Sequence, residues 1–269
     1  MSMDRISVTR LFLYPIKSCR GIAVQTTHLH PMGFDFDRRW MLVDDANVFI
    51  TQRTHPRLAT ISVTMHDDRL EVLAPRCAIL RVPIGSFANA SIAVRIWKDT
   101  LDAHPVSEEA DRWFSAYLGD SVRLMRIPEG PVRRIDPKFG RPDDHVSFAD
   151  AFPLLITSEE SLEALNGRLA APLPMDRFRP NIVVSGGGPF GEDGWTMLRR
   201  PNLELRLVKR CARCVTTTVD QKTGSVGKEP LATLATFRRS KDKVFFGMNA
   251  IPDSSGEISV GDMFVPDLG

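Results

Sequence analysis

The chain contains no apolar run approaching the ~18 residues that cross a bilayer as a helix. Its first ten residues include Asp4 and Arg5 and no apolar core of signal-peptide length. These absences predict a cytoplasmic protein without membrane association. Neither sign of charge is in excess: 35 Lys and Arg stand against 33 Asp and Glu. Bulk electrostatics therefore predicts neither nucleic-acid nor membrane binding. Cysteine is scarce, four in 269 residues, which excludes a disulfide scaffold and favours reduced thiols. No G-x-S-x-G elbow is present, so Ser-His-Asp hydrolysis has no support. Internal repeats, heptads and low-complexity tracts are missing too. Arg nevertheless recurs beside Gly, Pro and Cys, which suggests local anion sites.

The first hundred residues read as β. Strand patterns cover Ile6 to Tyr14, Ile22 to Leu29, Arg38 to Val43, Val48 to Arg53, Leu58 to Met65, Arg69 to Leu73, Ile79 to Val82 and Ile92 to Trp97. Short runs with turn chemistry between them indicate an antiparallel barrel or sandwich. Ser107 to Leu118 reads as a helix, with apolar residues on one face and Gly119 at the stop. Val122 to Ile127 is another strand, and Pro128 to Ser147 a long connection. Beyond it the pattern mixes strands at Leu154 to Ile156, Asn181 to Val184, Leu203 to Val208, Val244 to Phe246 and Glu257 to Val265 with two helices. One helix follows a capping box at Thr157-Ser158-Glu159-Glu160 and runs to Asn166. The other is Leu231 to Arg238, with Pro230 at its first position. The fold class is mainly β with α+β character, with a boundary near residues 100–122.

The chemistry converges on Lys209-Arg210-Cys211-Ala212-Arg213-Cys214, followed by a β-branched run that continues the extended chain. Cations beside a thiol favour its thiolate, the form that ligates a metal or attacks an electrophile. A buried structural Cys pair is the bland alternative. Zinc finds little support, because no His follows and Cys19 and Cys77 stand alone. Tyr14-Pro15-Ile16-Lys17-Ser18-Cys19-Arg20-Gly21 presents Lys17, Ser18 and free backbone N–H groups, either an anion grip or a solvated turn. Met175-Asp176-Arg177-Phe178-Arg179-Pro180-Asn181 places Arg179 before proline, which predicts extended backbone. Arg177 and Arg179 share a parity and should face the same way, toward a phosphate or toward Asp176. Arg38 opens a strand, as an exposed charge or an anion ligand. Gly186-Gly187-Gly188 lacks the G-x-G-x-x-G spacing and is weak evidence for phosphate. A thiolate with several cations suits an anionic, metal-bearing cofactor.

These segments in combination resemble the MOSC-domain proteins, specifically the group with an N-terminal β-barrel that includes the amidoxime-reducing components. The matching pieces are YPIKSCRG (14–21), FDRRWMLVD (36–44), HPRLATI (55–61), FADAFPLLITSEESLEALN (148–166), FRPNIVVSG (178–186), RCARCVTTTVDQKTG (210–224) and ISVGD (258–262). They occur in family order over nearly the whole length. The resemblance implies an N-terminal MOSC β-barrel domain over residues 1–120 and a MOSC β-barrel with flanking helices over residues 121–269. It implies the molybdenum cofactor (Mo-molybdopterin) as prosthetic group, with Cys214 as the thiolate ligand of the metal. Lys17, Ser18, Arg38, Arg179 and Asn181 match cofactor-gripping positions, and Ala212 and Arg213 precede the ligand. The backbone at Asp150, Ala151 and Phe152 and the segment near Asn249 match further lining positions. The family often has Thr-Ser where this chain has Ala151-Phe152, and a small hydroxyl where it has Ala212, so side-chain contacts there are lost. Cys211 has counterparts but is not the metal ligand.

The implied reaction is two-electron reduction of N-hydroxylated compounds such as amidoximes, hydroxylamines and N-hydroxylated bases. The four-Cys spacing of a ferredoxin-like domain is absent. Electrons are therefore expected from a separate ferredoxin-, flavodoxin- or cytochrome b5-like protein. The competing reading is a non-catalytic carrier of the cofactor or a sulfur-handling module.

Overall fold

The computed structural model describes residues 5–85, 87–130 and 133–269. Residues 1–4, part of the stretch lacking a signal core, and residues 131–132 within the long connection lie outside the described residues, as does residue 86. The centre of the molecule is a closed seven-stranded barrel. Its strands run in the order Leu154–Ser158, Ile182–Ser185, Ile6–Leu13, Met263–Leu268, Trp195–Arg200, Leu203–Ala212 and Lys243–Pro252, and the last pairs back onto the first. All neighbours are antiparallel except Leu154–Ser158 with Ile182–Ser185. Alternation fills it: Ile6, Val8, Leu11 and Leu13 from one strand meet Leu203, Leu205 and Leu207 from another.

The barrel takes its first strand from the start of the chain, so the N-terminal half is not separate from it. The rest of that half forms a four-stranded sheet, Trp40–Val43, Arg123–Arg126, Asp99–Pro105 and Ile92–Ile96. A three-stranded meander, Ser62–Met65, Arg69–Leu73 and Leu80–Pro83, lies beside it. The helix α1 (Glu108–Leu118) buries Ala110, Phe114, Tyr117 and Leu118 against the meander residues Val63, Leu70 and Val82. Its N-cap Ser107 accepts from the Ala110 N–H, acidic residues occupy its first turn, and Gly119 closes it at φ 81°. The remaining helices are α2 (Glu159–Asn166) and α3 (Leu231–Phe237). Among the described residues no helix is long and apolar enough to cross a membrane.

Several local expectations are corrected. Val48 to Arg53 forms only isolated bridges and then turns, which swings Gln52 and Arg53 inward. Leu58 to Thr60 belongs to a 3-10 turn begun by Pro56, and the strand starts at Ser62. Two strands longer than two residues escape the sequence pattern, Asp99–Pro105 and Trp195–Arg200, because Asp, Pro and Arg mask the alternation. The cap of α2 is Ser158, not Thr157, and the Glu160 carboxylate accepts from the Gly186 N–H instead of reaching back. The Gly186 amide thus serves α2, the Trp195 ring packs against Gly187, and only a 3-10 turn, Gly191–Gly194, follows them. Val215 to Thr218 is not extended: Cys214 caps a 3-10 turn there. Arg179 is left-handed at φ 55°, not extended, because it closes the Met175–Phe178 turn. Arg177 consequently turns away, to Asp220 and the Thr218 carbonyl, and does not share Arg179's direction. Asp176 pairs with neither.

Candidate functional site

The strand Leu203–Ala212 is regular while its alternate residues enter the barrel. It then breaks register with its partner between Leu207 and Lys209, and again between Arg210 and Ala212. Bulges bend a strand and re-aim its side chains. Here they carry Lys209, Arg210, Cys211, Ala212 and Arg213 to the wall of one cavity of about 300 Å³, with Cys214 following at the strand's end. The opposite wall comes from loops. Lys17 and Ser18 follow the first barrel strand after its break at Pro15, and Arg38 precedes the Trp40–Val43 strand. Ala151 and Phe152 precede Leu154–Ser158, Arg179 and Asn181 precede Ile182–Ser185, and Asn249 lies in Lys243–Pro252. The cavity thus brings together all eleven residues singled out from the sequence.

Their side chains are tightly held. Asn181, buried, accepts from Arg38 Nη1 at 2.9 Å and from the Leu155 N–H at 3.3 Å, and donates to the Phe12 carbonyl. Arg38 also donates to buried Asp37 at 2.5 Å and to the Arg179 carbonyl at 3.4 Å. The guanidiniums of Arg38 and Arg179 both sit over the Tyr14 ring, 4.2 and 4.3 Å from its centroid. Tyr14 itself donates to the Pro180 carbonyl. One buried ring thereby fixes two cations that would otherwise repel, an arrangement the negative face of an arene favours. Burial pushes the Arg179 pKa down, partly opposed by Tyr14.

Lys17 is buried and donates to the Phe148 carbonyl at 2.7 Å and to Asp150 at 2.5 Å. Burial lowers its pKa from 10.5 to about 8, against the opposing pull of Asp150. Asp150 joins Lys17 to Arg53. Burial would raise its carboxyl, but those two cations hold it well below the usual carboxylate range. The loop bearing Asp150 is clamped from behind by Arg133, which donates to the Ser147 and Ala149 carbonyls at 2.9 and 2.8 Å and pairs with Asp99.

Cys214 Sγ receives Arg53 Nη2 at 3.2 Å and lies 3.5 Å from the Thr216 hydroxyl. Burial raises its pKa, but Arg53 and Thr216 outweigh burial and bring it below the ordinary value. The cations expected to do this from the sequence, Arg210 and Arg213, do not: Arg213 bonds Cys211 Sγ at 2.9 Å and the Phe178 carbonyl, and Arg210 sits over Phe245. Arg53 escapes the sequence reading, and Asp150 enters it only through its backbone, not its carboxylate. Arg53 lies in a segment read as a strand, and nothing in its spacing links it to residue 214. The four thiols do not converge, since Cys19 lies buried in the N-terminal core with Cys77 packed against it. Among the described residues no three His, Cys, Asp or Glu side chains are grouped to hold a metal. Any metal here would find fewer than three such ligands among the described residues.

The donor set fits an anionic, sulfur-coordinated group. Seven cations line the cavity (Lys17, Arg38, Arg53, Arg179, Lys209, Arg210 and Arg213) against one carboxylate, Asp150. Among the described residues Arg213 Nε is buried without a partner. Lys17, Arg38, Arg53, Arg179 and Arg213 are at least partly buried, and desolvated cations in such excess are costly unless an anion joins them.

Comparison with known proteins adds three results. Residues 5–121 match the MOSC N-terminal beta barrel domain, and residues 143–265 match the MOSC domain. Mitochondrial amidoxime-reducing component 1 of Mus musculus is 36% identical, and that of Homo sapiens 34%, each over 95% of this chain and 81% of its own length. Molybdenum cofactor sulfurase of Oryza sativa subsp. japonica is 31% identical over 92% of this chain and 32% of its own length.

Proposed function

The chain belongs to the family of MOSC-domain proteins with an N-terminal MOSC β-barrel, and from that premise we propose that it is a molybdenum-cofactor oxidoreductase that reduces N-hydroxylated compounds. The observation that carries the reading is the Cys214 sulfur, held toward its thiolate in a cavity whose walls include Lys17, Arg38 and Arg179. The cofactor, when bound, supplies two-electron redox chemistry and an acceptor for the oxygen of an N–O bond. In balance, an amidoxime takes two electrons and two protons and leaves as an amidine and water.

The chain's own residues do the rest. Cys214 offers the sulfur, and Arg53 with Thr216 favours its thiolate over the thiol. Lys17, Arg38, Arg179 and Arg213 would hold the cofactor through the negative charge of its sulfur donors and phosphate, the guanidiniums with paired N–H donors. Asn181 and Tyr14 fix the Arg38 and Arg179 guanidiniums in advance, so little ordering remains there at binding. Asp150 spaces Lys17 from Arg53. Ala151 and Ala212 bring no side-chain donor, which leaves backbone contacts there. Two electrons per turnover enter from a separate donor protein of ferredoxin, flavodoxin or cytochrome b5 type.

The test is expression in a host competent for cofactor synthesis, followed by metal analysis and turnover of benzamidoxime with an artificial electron donor. Stoichiometric molybdenum with turnover supports the proposal. Molybdenum without turnover would instead support the carrier reading, and a metal-free protein from such a host would overturn both.

A further inference from the structure

The hairpin between Ile92–Ile96 and Asp99–Pro105 turns through Trp97 and Lys98. Two-residue hairpin loops favour Gly, Asn or Asp where the backbone is left-handed, because a larger side chain crowds the chain there. Here that conformation falls on Trp97, at φ 54°. Burial does not compensate, since 45% of the residue remains exposed. Its indole meets the Phe49 ring edge-on at 4.9 Å. The Arg53 guanidinium lies over it, 4.7 Å from the centroid. That same guanidinium touches the Cys214 sulfur. A strained, half-exposed indole therefore stands one guanidinium away from the reactive sulfur. A glycine would make this turn without strain, so the turn itself gives no reason for the ring.

We propose that Trp97, backed by Phe49 and set beside the cavity against its lining residue Arg53, forms a stacking platform for planar conjugated substrates, so that the protein favours aryl amidoximes and N-hydroxylated bases over small hydroxylamines. This rests on the reductase reading above and narrows its substrate class. A flat π-system laid on the open part of the indole gains dispersion and quadrupole attraction whatever its substituents. Its N-hydroxyl group then projects past Arg53 toward Cys214. Arg53 has capacity to receive it: both of its bonds to Asp150 and Cys214 come from Nη2, and among the described residues its Nε and Nη1 bond no protein atom. Small hydroxylamines present no flat surface and gain nothing from the platform.

The experiment compares the holoenzyme with Trp97→Gly and Trp97→Phe. Glycine relaxes the turn, so folding is retained and the thermal midpoint should hold or rise. The readout is the ratio of kcat/KM for benzamidoxime to that for hydroxylamine. Trp97→Gly should lower this ratio about tenfold, the size expected from one stacking contact, mainly through KM, and Trp97→Phe should restore most of it. Equal losses on both substrates, or no change in the ratio, would overturn the platform. Binding separates it from the reductase reading. If the wild-type holoenzyme reduces neither substrate, saturable binding of benzamidine that Trp97→Gly weakens still supports the platform. Binding unaffected by the substitution, or absent, sinks it.

Discussion

The Arg53 guanidinium meets the Cys214 sulfur at 3.2 Å across 161 residues of sequence. An arginine from the N-terminal half thus controls the charge of a cysteine in the C-terminal barrel. The C-x2-C motif supplies the thiol, and a residue outside the motif decides its ionisation.

Replacing Arg53 by Gln leaves the burial of Cys214 in place and removes the main force opposing it. The thiol's midpoint should rise, so alkylation of the cofactor-free protein by iodoacetamide should need higher pH than in wild type. An unchanged rate-versus-pH curve would show that Arg53 does not act on the sulfur.

The two cysteines should differ sharply. Cys214→Ser removes the one lining thiol that Arg53 contacts, and molybdenum content and turnover should both fall to background. Cys211 accepts from Arg213 at the wall and otherwise reaches the Ala212 carbonyl, so Cys211→Ser should stay within about threefold of wild type, the range of a surface substitution. Reversed results in a metal and activity assay would relocate the ligand.

Lys17 gives a pH dependence with a definite sign. Its folded pKa of about 8 lies below its ordinary 10.5. An anion in the cavity is held by the protonated form, so sulfate affinity should fall as pH rises through 8, by up to about tenfold per pH unit for one coupled proton. Between pH 8 and 10.5 the unfolded chain holds the extra proton, so stability from this group rises with pH in that window. Lys17→Met should flatten both dependences in titration calorimetry and thermal melts.

Tyr14 carries two guanidiniums on one ring. Tyr14→Phe keeps the ring and loses one hydrogen bond, a cost of about 1 kcal/mol, with cofactor content maintained. Tyr14→Leu removes both ring contacts, each worth ~0.5–2 kcal/mol, and should lower molybdenum occupancy by about tenfold or more. Equal occupancy in the two variants would show that the ring plays no part.

Gly247 tests the barrel beneath the site. Its φ is 78°, and an added Cβ would stand 2.7 Å from the Ile156 carbonyl. Gly247→Ala combines strain with a backbone clash and should cost on the order of 2–3 kcal/mol, lowering the melting midpoint by several degrees. A melt matching wild type would mean that the Lys243–Pro252 strand can shift without loss.

Sequence by itself determined the mainly β architecture, the caps of α1 at Ser107 and Gly119, and the segments that carry Lys17, Arg38, Arg179, Asn181 and Cys214. Those signals are local: alternation, capping and short motifs each involve neighbours along the chain. Tertiary structure alone decided that Arg53 and Asp150 govern the charge around Cys214, that Tyr14 carries two arginines, and that two bulges turn residues 209–213 toward the cavity. Each of these depends on which remote segments meet, and periodicity does not encode that. Closing the barrel brought them together, because alternation had to bury one face of every strand and the loops at its end were left no other place to converge.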